Sequence, residues 1–150
     1  MYSAYADIAI KRISLKDLQQ LLCDDPKVPF TDAQLQAAVE AIIPDGDRKI
    51  DSYASKYYVV PMDPTPDSVK DASADMACHC IYRRRPALSE GAAKTWKDAH
   101  DSAMSWLKDV AAGKATIEGA SRKLSATTPN TGGKVMTSDP VFTKDSLKGF

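Results

Sequence analysis

The sequence lacks the motifs from which an enzymatic function is usually inferred. Its 150 residues contain no Gly-x-Ser-x-Gly elbow, no phosphate-binding P-loop and no dinucleotide-binding glycine fingerprint. No apolar run approaches the roughly 20 residues that span a bilayer. The first ten residues have an acid but no basic stretch, unlike a signal peptide. We therefore expect neither an enzyme nor a membrane protein, and no cofactor.

The chain also lacks a net charge. The 20 basic and 20 acidic side chains cancel, which leaves no general attraction to nucleic acid or anionic lipid and little long-range repulsion between copies. Cysteine is scarce: Cys23, Cys78 and Cys80 are odd in number and have no framework spacing. They indicate thiols in a reducing cytoplasm. This balance suits a protein that associates with itself.

Helical periodicity is what the sequence does contain. A short helical turn around Ile8 is followed by a leucine-rich helix that Ser14 opens. Thr31 then caps a longer segment whose apolar face continues to Tyr58. Pro44 interrupts this segment, because proline removes a backbone hydrogen bond and clashes with the preceding turn. The pattern fits one kinked helix and two separate helices equally well.

Two longer helices follow. The first starts near Pro66 and ends at a basic run, residues 83–85, whose charges complement the negative end of the helix dipole. The second is capped by Ser89 and ends at Gly113, a natural C-cap. Its apolar residues recur at steps of four and three and form a seam for antiparallel packing: Ala92, Trp96, Ala99, Ala103, Trp106 and Val110.

The pattern divides the chain into two parts. Residues 1–113 are predicted to form an all-α domain, a small bundle of four to five helices. Residues 114–150 are predicted to form an extended C-terminal arm that could add short strands. The arm has no period that buries itself, and ordering it alone costs roughly 1–2 kcal/mol per residue. Its apolar anchors favour an interaction arm over a frayed terminus: Val141, Phe142, Leu147 and Phe150.

One local cluster suggests a metal site. Cys78, His79 and Cys80 carry good zinc ligands. Consecutive helical side chains diverge by about 100° per residue, however, so these three cannot close around one ion. A further ligand would have to come from His100 or Cys23. We interpret the three as buried or half-buried helix residues and expect no metal.

Two other features have alternative roles. The run of Arg83, Arg84 and Arg85 could contact phosphate or a partner, although a solvated helix end is the simpler interpretation. Trp96 and Trp106 lie at core spacing, although one of them could lie at a subunit interface. The three arginines and the anchors of the arm are the candidate interaction residues of this chain.

Four segments occur in an order that covers nearly the whole chain: IDSYASKYYVVP (50–61), VKDASADMACHCIYRRRP (69–86), WKDAHDSAMSWLKDVAAGKATIEG (96–119) and VFTKDSLKGF (141–150). In this succession the chain resembles a family of Mu-like phage proteins long catalogued as uncharacterised, whose members look like head-tail adaptors of the neck. The chain departs from the family at residues 43–46, where an uninterrupted Ala-rich helix is usual, and at its cysteine-rich residues 78–80.

The resemblance implies a structural protein of the virion neck, made in the cytoplasm of the bacterial host. Such adaptors look like small helical bundles that form rings of about twelve copies around the DNA channel. The implied partners are other copies of the chain, the portal protein, a downstream neck or tail-terminator protein, and packaged DNA without sequence-specific contact. Two alternatives are a tail-completion or tail-terminator protein, and a small helical regulator that binds DNA or a host protein through the arginines.

Overall fold

The computed structural model describes residues 1–25, 27–88 and 90–123, and within them the chain forms a bundle of α-helices. Five helices have eight residues or more, and a sixth, at the start of the chain, is a turn of five. The predicted all-α bundle is therefore confirmed. None of the described helices combines the length and the apolar composition that crossing a bilayer demands. The elements are α1 (Tyr5–Ala9), α2 (Leu15–Leu22), α3 (Asp32–Glu40), α4 (Ile43–Ala54), α5 (Asp67–Arg83), a single 3-10 turn (Pro86–Leu88) and α6 (Glu90–Ala111).

Capping side chains set the start of α2 and of α3. Ser14 Oγ accepts a hydrogen bond from the Asp17 amide at 3.2 Å. Thr31 and Gln34 form the predicted capping box, in which each side chain accepts a hydrogen bond from the other residue's amide. These bonds satisfy amides that the first turn of a helix leaves without partners.

The chain breaks between α3 and α4. Helix α3 ends at Glu40, and α4 begins at Ile43 with Pro44 in its first turn, where the missing amide removes no helical hydrogen bond. Of the two alternatives at Pro44, two separate helices is therefore the correct one. The apolar face continues across the break, because Val39 and Ile43 are both fully buried in the same cluster.

Helix α5 lies at the centre of the bundle and belongs to two hydrophobic cores. It packs against α1, α2, α4 and α6. The first core joins α1, α2, α3, the first residue of α4 and one face of α5: Ile8, Ile13, Leu18, Leu21, Leu22, Leu35, Val39, Ile43, Ala74, Ala77, Cys78, Ile81 and Tyr82. The second core joins α4, the other face of α5 and the end of α6: Tyr2, Ile50, Ala54, Tyr58, Met62, Val69, Ala72, Met76, Ala103, Leu107, Val110 and Ile117.

Helix α6 ends at Ala111, and Gly113 terminates it as the predicted glycine cap. Gly113 adopts a left-handed conformation with φ of 75°. Its amide donates to Val110 O at 3.0 Å, and the Lys114 amide donates to Asp109 O at 2.8 Å. This pair of bonds is the Schellman arrangement, which satisfies the last carbonyl groups of a helix.

Residues 114–123 turn back onto the bundle. Ile117 is 4% exposed in the second core, and its amide donates to Tyr58 Oη at 2.8 Å. Backbone hydrogen bonds then pair residues 121–123 with residues 57–59 around an isolated antiparallel bridge.

This return differs from the predicted division at Gly113. The first ten residues assigned to the arm pack on the domain, because Ile117 fills a place in the second core that the helices leave open. Gly113 therefore marks the end of α6 and not the end of the packed chain. Residues 124–150, which include the rest of the predicted arm, lie outside the described residues, so for them the arm stays a prediction.

Candidate interaction surface

The end of α5 carries the three arginines singled out from the sequence, and their contacts differ. The Arg84 and Arg85 guanidinium groups lie 3.5 and 2.9 Å from Asp24 Oδ1. Arg85 also donates to Gln20 O at 3.1 Å. These two arginines thus fasten the end of α5 to α2 and the loop after it. Arg83 is exposed, and within the described ranges no carboxylate lies within 4 Å of it.

A shallow groove of about 280 Å³ lies between the end of α5 and the start of α6. We call it the α5–α6 groove. Its apolar lining comes from Tyr82, Pro86 and Ala93, and its charged lining from Arg83, Lys94 and Lys97, with His79 at its edge. Lys97 Nζ pairs with Asp101 Oδ2 at 3.0 Å, whereas Lys94 has no ion-pair partner in the part of the chain that the structure describes. The groove is therefore apolar and positively charged at once.

His79 and His100 meet between α5 and α6 beside this groove. Their ring centroids are 4.4 Å apart, and His100 Nδ1 lies 3.1 Å from Asp101 Oδ1. Burial lowers the pKa of His79, and the nearby positive charges of His100 and Arg83 lower it further. His79 is thus predominantly neutral at pH 7, which allows the two rings, tilted by 36°, to lie in contact without charge repulsion.

The Cys78-His79-Cys80 run has three different environments. Cys78 is fully buried in the first core, and burial raises the pKa of its thiol to about 12. Cys80 is half-buried, and the His79 ring faces α6. The three side chains diverge as expected for consecutive helical residues. Across residues 1–25, 27–88 and 90–123, no group of three or more His, Cys, Asp or Glu side chains could hold a metal ion.

A carboxylate is buried beside the second core, within the segment predicted to carry an apolar face from Thr31 to Tyr58. Asp47 is 8% exposed. Its Oδ1 accepts from Ser73 Oγ at 2.6 Å, and its Oδ2 accepts from the Tyr2 amide at 2.9 Å. Ser3 Oγ lies 2.8 Å from Ser73 Oγ. The cluster fastens the first residues of the chain to α4 and α5.

The Tyr2 side chain extends this cluster. Its hydroxyl donates to Asp51 Oδ1 and accepts from the Met62 amide at 3.0 Å. Burial, followed by the bond to Asp51, raises the pKa of Tyr2 to about 12. Among the described residues, no buried side-chain nitrogen or oxygen lacks a hydrogen bond. The cluster is thus fully paired and holds the fold together.

The other residues noted in the sequence are divided between the two cores and the undescribed part of the chain. Trp96 and Trp106 are half-buried, the first against the first core and the second against the second core. Tyr58 is 1% exposed, so it is a core residue. The predicted anchors of the arm lie outside the described residues: Val141, Phe142, Leu147 and Phe150.

A family model described as Bacteriophage Mu, Gp36 matches residues 2–137. The chain belongs to this family. The match takes in all six helices and the return of the chain over residues 114–123. No individually curated protein matches the chain. Membership of the Bacteriophage Mu Gp36 family makes the chain a Mu-like phage protein and suggests a part in the virion or in its morphogenesis.

Proposed function

We propose that this protein is a head-tail adaptor, a structural, non-enzymatic component of the phage neck. In this role it docks under the portal protein as a ring of about twelve copies and joins head to tail around the DNA channel. The observation that carries the proposal is the extent of the family match, residues 2–137, which includes the whole bundle and reaches into the predicted arm.

The arrangement of the bundle supports this role. A ring needs heterologous contacts, in which one face of a subunit meets a different face of the next. The α5–α6 groove lies at the start of α6, whereas residues 121–123 lie beside the end of α4. The subunit thus has two separate surfaces, one near each end of α6. Packaged DNA passes through the channel without sequence-specific contact.

Two alternatives remain in different classes. A tail-completion or tail-terminator protein would meet the tail tube, and a small regulator would bind DNA or a host protein through residues 83–85. The contacts of Arg84 and Arg85 with Asp24 favour a structural role over the regulator. Part of the positive charge that phosphate binding requires is already paired within the subunit.

Quantitative mass spectrometry of purified particles tests the proposal. We expect about twelve copies per particle both in complete virions and in DNA-filled heads from infections that make no tails. A tail-terminator protein would be missing from the tailless heads, and a regulator would be missing from both particles. Either result overturns the adaptor role.

Deletion of residues 141–150 tests the arm. We expect the truncated protein to keep the helical circular-dichroism spectrum of the bundle and to be lost from particles. The matched control replaces polar residues of the same segment, Thr143→Ala with Ser146→Ala, and should be incorporated normally. Infectious, tailed virions built with the truncated protein would contradict the role given to the arm.

A further inference from the structure

We propose that the α5–α6 groove binds residues 139–145 of a second copy of this chain. The inference rests on the proposed function, because it identifies the contact that joins neighbouring subunits.

The groove presents positive charge that the described subunit does not neutralise. Arg83 and Lys94 line it, and neither has a carboxylate within 4 Å in the described ranges, whereas Lys97 is paired with Asp101. The pKa of His79 is lowered partly by Arg83, which is consistent with a positive potential there. An acidic ligand therefore gains two charge contacts without breaking an ion pair of the described subunit.

Apolar lining distinguishes this groove from a phosphate-binding surface. Tyr82, Pro86 and Ala93 contribute carbon surface beside the cations. A DNA backbone would contact the cations and leave this surface uncovered. A peptide that combines a carboxylate with an aromatic or aliphatic side chain would cover both.

The chain itself contains such a segment. Residues 124–150 have only two acidic side chains, Asp139 and Asp145, and these flank Val141 and Phe142. Lys144 also lies between them, so residues 139–145 carry a net charge of −1. The acidic and apolar requirements of the groove thus coincide at one place in this part of the sequence. Pro140 restricts the backbone beside it, which lowers the entropy lost when a peptide docks.

The proposed ring favours a segment from a second copy. Lys94 lies about 25 Å along α6 from Ala111, near which residues 121–123 pack. The 15 residues from 124 to 138 span at most about 50 Å, which would reach the groove of the same subunit or that of a neighbour. Docking in a neighbour joins one end of a subunit to the opposite end of the next, the heterologous contact that closes a ring.

Fluorescence anisotropy with a labelled peptide of residues 137–147 tests the binding. The receptor is the full chain with Phe142→Asp, so that its own segment does not compete. We expect saturable binding that weakens about tenfold or more when the receptor also carries Arg83→Glu and Lys94→Glu. Lys108→Glu with Lys114→Glu, the same charge change on exposed residues at the other end of α6, should leave binding unchanged. A peptide with Asp139→Lys and Asp145→Lys should recover affinity for the reversed groove.

Three results would overturn the proposal. The first is absence of peptide binding, and the second is binding that the groove substitutions leave unchanged. The third comes from the full chain carrying the photo-crosslinker benzoylphenylalanine at position 142, if it crosslinks to the groove of its own subunit and forms no crosslinked dimers. Binding of a DNA oligonucleotide that the same substitutions abolish, with no peptide binding, would assign the groove to DNA.

The proposed groove contact and the proposed adaptor role can be refuted independently of each other. If the peptide binds as described but the protein is absent from particles, the contact between copies stands and the adaptor role falls. If Arg83→Glu with Lys94→Glu abolishes peptide binding yet the variant is incorporated at the normal level, the groove is not the ring contact and the adaptor role stands.

Discussion

The two cores of this bundle differ in how they treat polar groups. The first core is aliphatic, and its polar contacts lie at its edge, where Arg12 bridges Asp71 and Asp75 at 2.9 and 3.0 Å. The second core encloses the Asp47 carboxylate and the Ser73 hydroxyl. It is completed by Tyr2, which precedes the first helix, and by Ile117, which follows the last. The first core thus depends mainly on apolar packing, whereas the second also depends on hydrogen bonds that cannot be replaced by water.

Truncating one leucine in each core gives the largest expected effect. Leu18 and Leu107 are both fully buried, so Leu18→Ala and Leu107→Ala should each lower the free energy of unfolding by about 2–5 kcal/mol. Urea denaturation followed by circular dichroism measures this. The exposed Leu15 on the same helix as Leu18 provides the control, since Leu15→Ala should change stability by less than about 0.5 kcal/mol.

The shape of these curves also tests the division into cores. Helix α5 contributes to both, so we expect a single transition in each variant. Two separate transitions in the Leu107→Ala variant would mean that the cores unfold independently.

Removing the buried carboxylate should have the next largest effect. Asp47→Ala leaves the Ser73 hydroxyl and the Tyr2 amide without their partner and should cost about 1–3 kcal/mol. Combining it with Ser73→Ala should cost less than the sum of the two single changes, because both partners are then absent. Asp45 lies on the same helix, is exposed and pairs only with Arg48 in the described chain. A cost as large for Asp45→Ala as for Asp47→Ala would show that burial is not the cause.

The end of α6 gives a smaller effect. Gly113→Ala places a Cβ in a left-handed conformation and 3.4 Å from Tyr57 Oη, so it should destabilise by about 1–2 kcal/mol. Gly91 lies in the first turn of the same helix, and a Cβ there meets nothing within 4 Å. Gly91→Ala should stabilise by up to about 1 kcal/mol. Thermal denaturation should therefore shift in opposite directions, and equal shifts would contradict the assigned cap.

Acidification, which protonates His79, should have the smallest effect on stability. The folded state lowers the pKa of His79 below its ordinary 6.5, so the unfolded chain binds more protons as the pH falls through that value. Stability should consequently be complete above about pH 6.5 and decline below it. The urea midpoint at about pH 7.5 and about pH 5.5 measures the decline. His79→Gln should reduce the difference; an unchanged difference would assign it to other groups.

The first core could be predicted from the sequence more fully than the second. Capping residues such as Ser14 and Thr31 act within three residues, so helix starts are visible locally. The break at Pro44 left two alternatives, because proline is compatible both with a kink and with a first turn. Packing against neighbouring segments decided between them.

The second core and the groove could not be predicted in the same way. Asp47 lies at helical spacing between Ile43 and Ile50, and a lone carboxylate in an apolar stripe is the signal that could have revealed it. Its partners Tyr2 and Ser73 lie 45 and 26 residues away in sequence. The arginine run was visible, but only the fold separates Arg83 from its neighbours, since Asp24 comes close through the packing of α2 on α5.

Helix α5, which both cores share, also restricts how the helices can pack against one another. A slip of one residue in its register would rotate every side chain by about 100°. Ile81 would leave one cluster and Met76 the other in the same movement. Misaligned packings of this helix are thus penalised twice, once by each core. One seventeen-residue segment therefore excludes competing arrangements for the whole subunit.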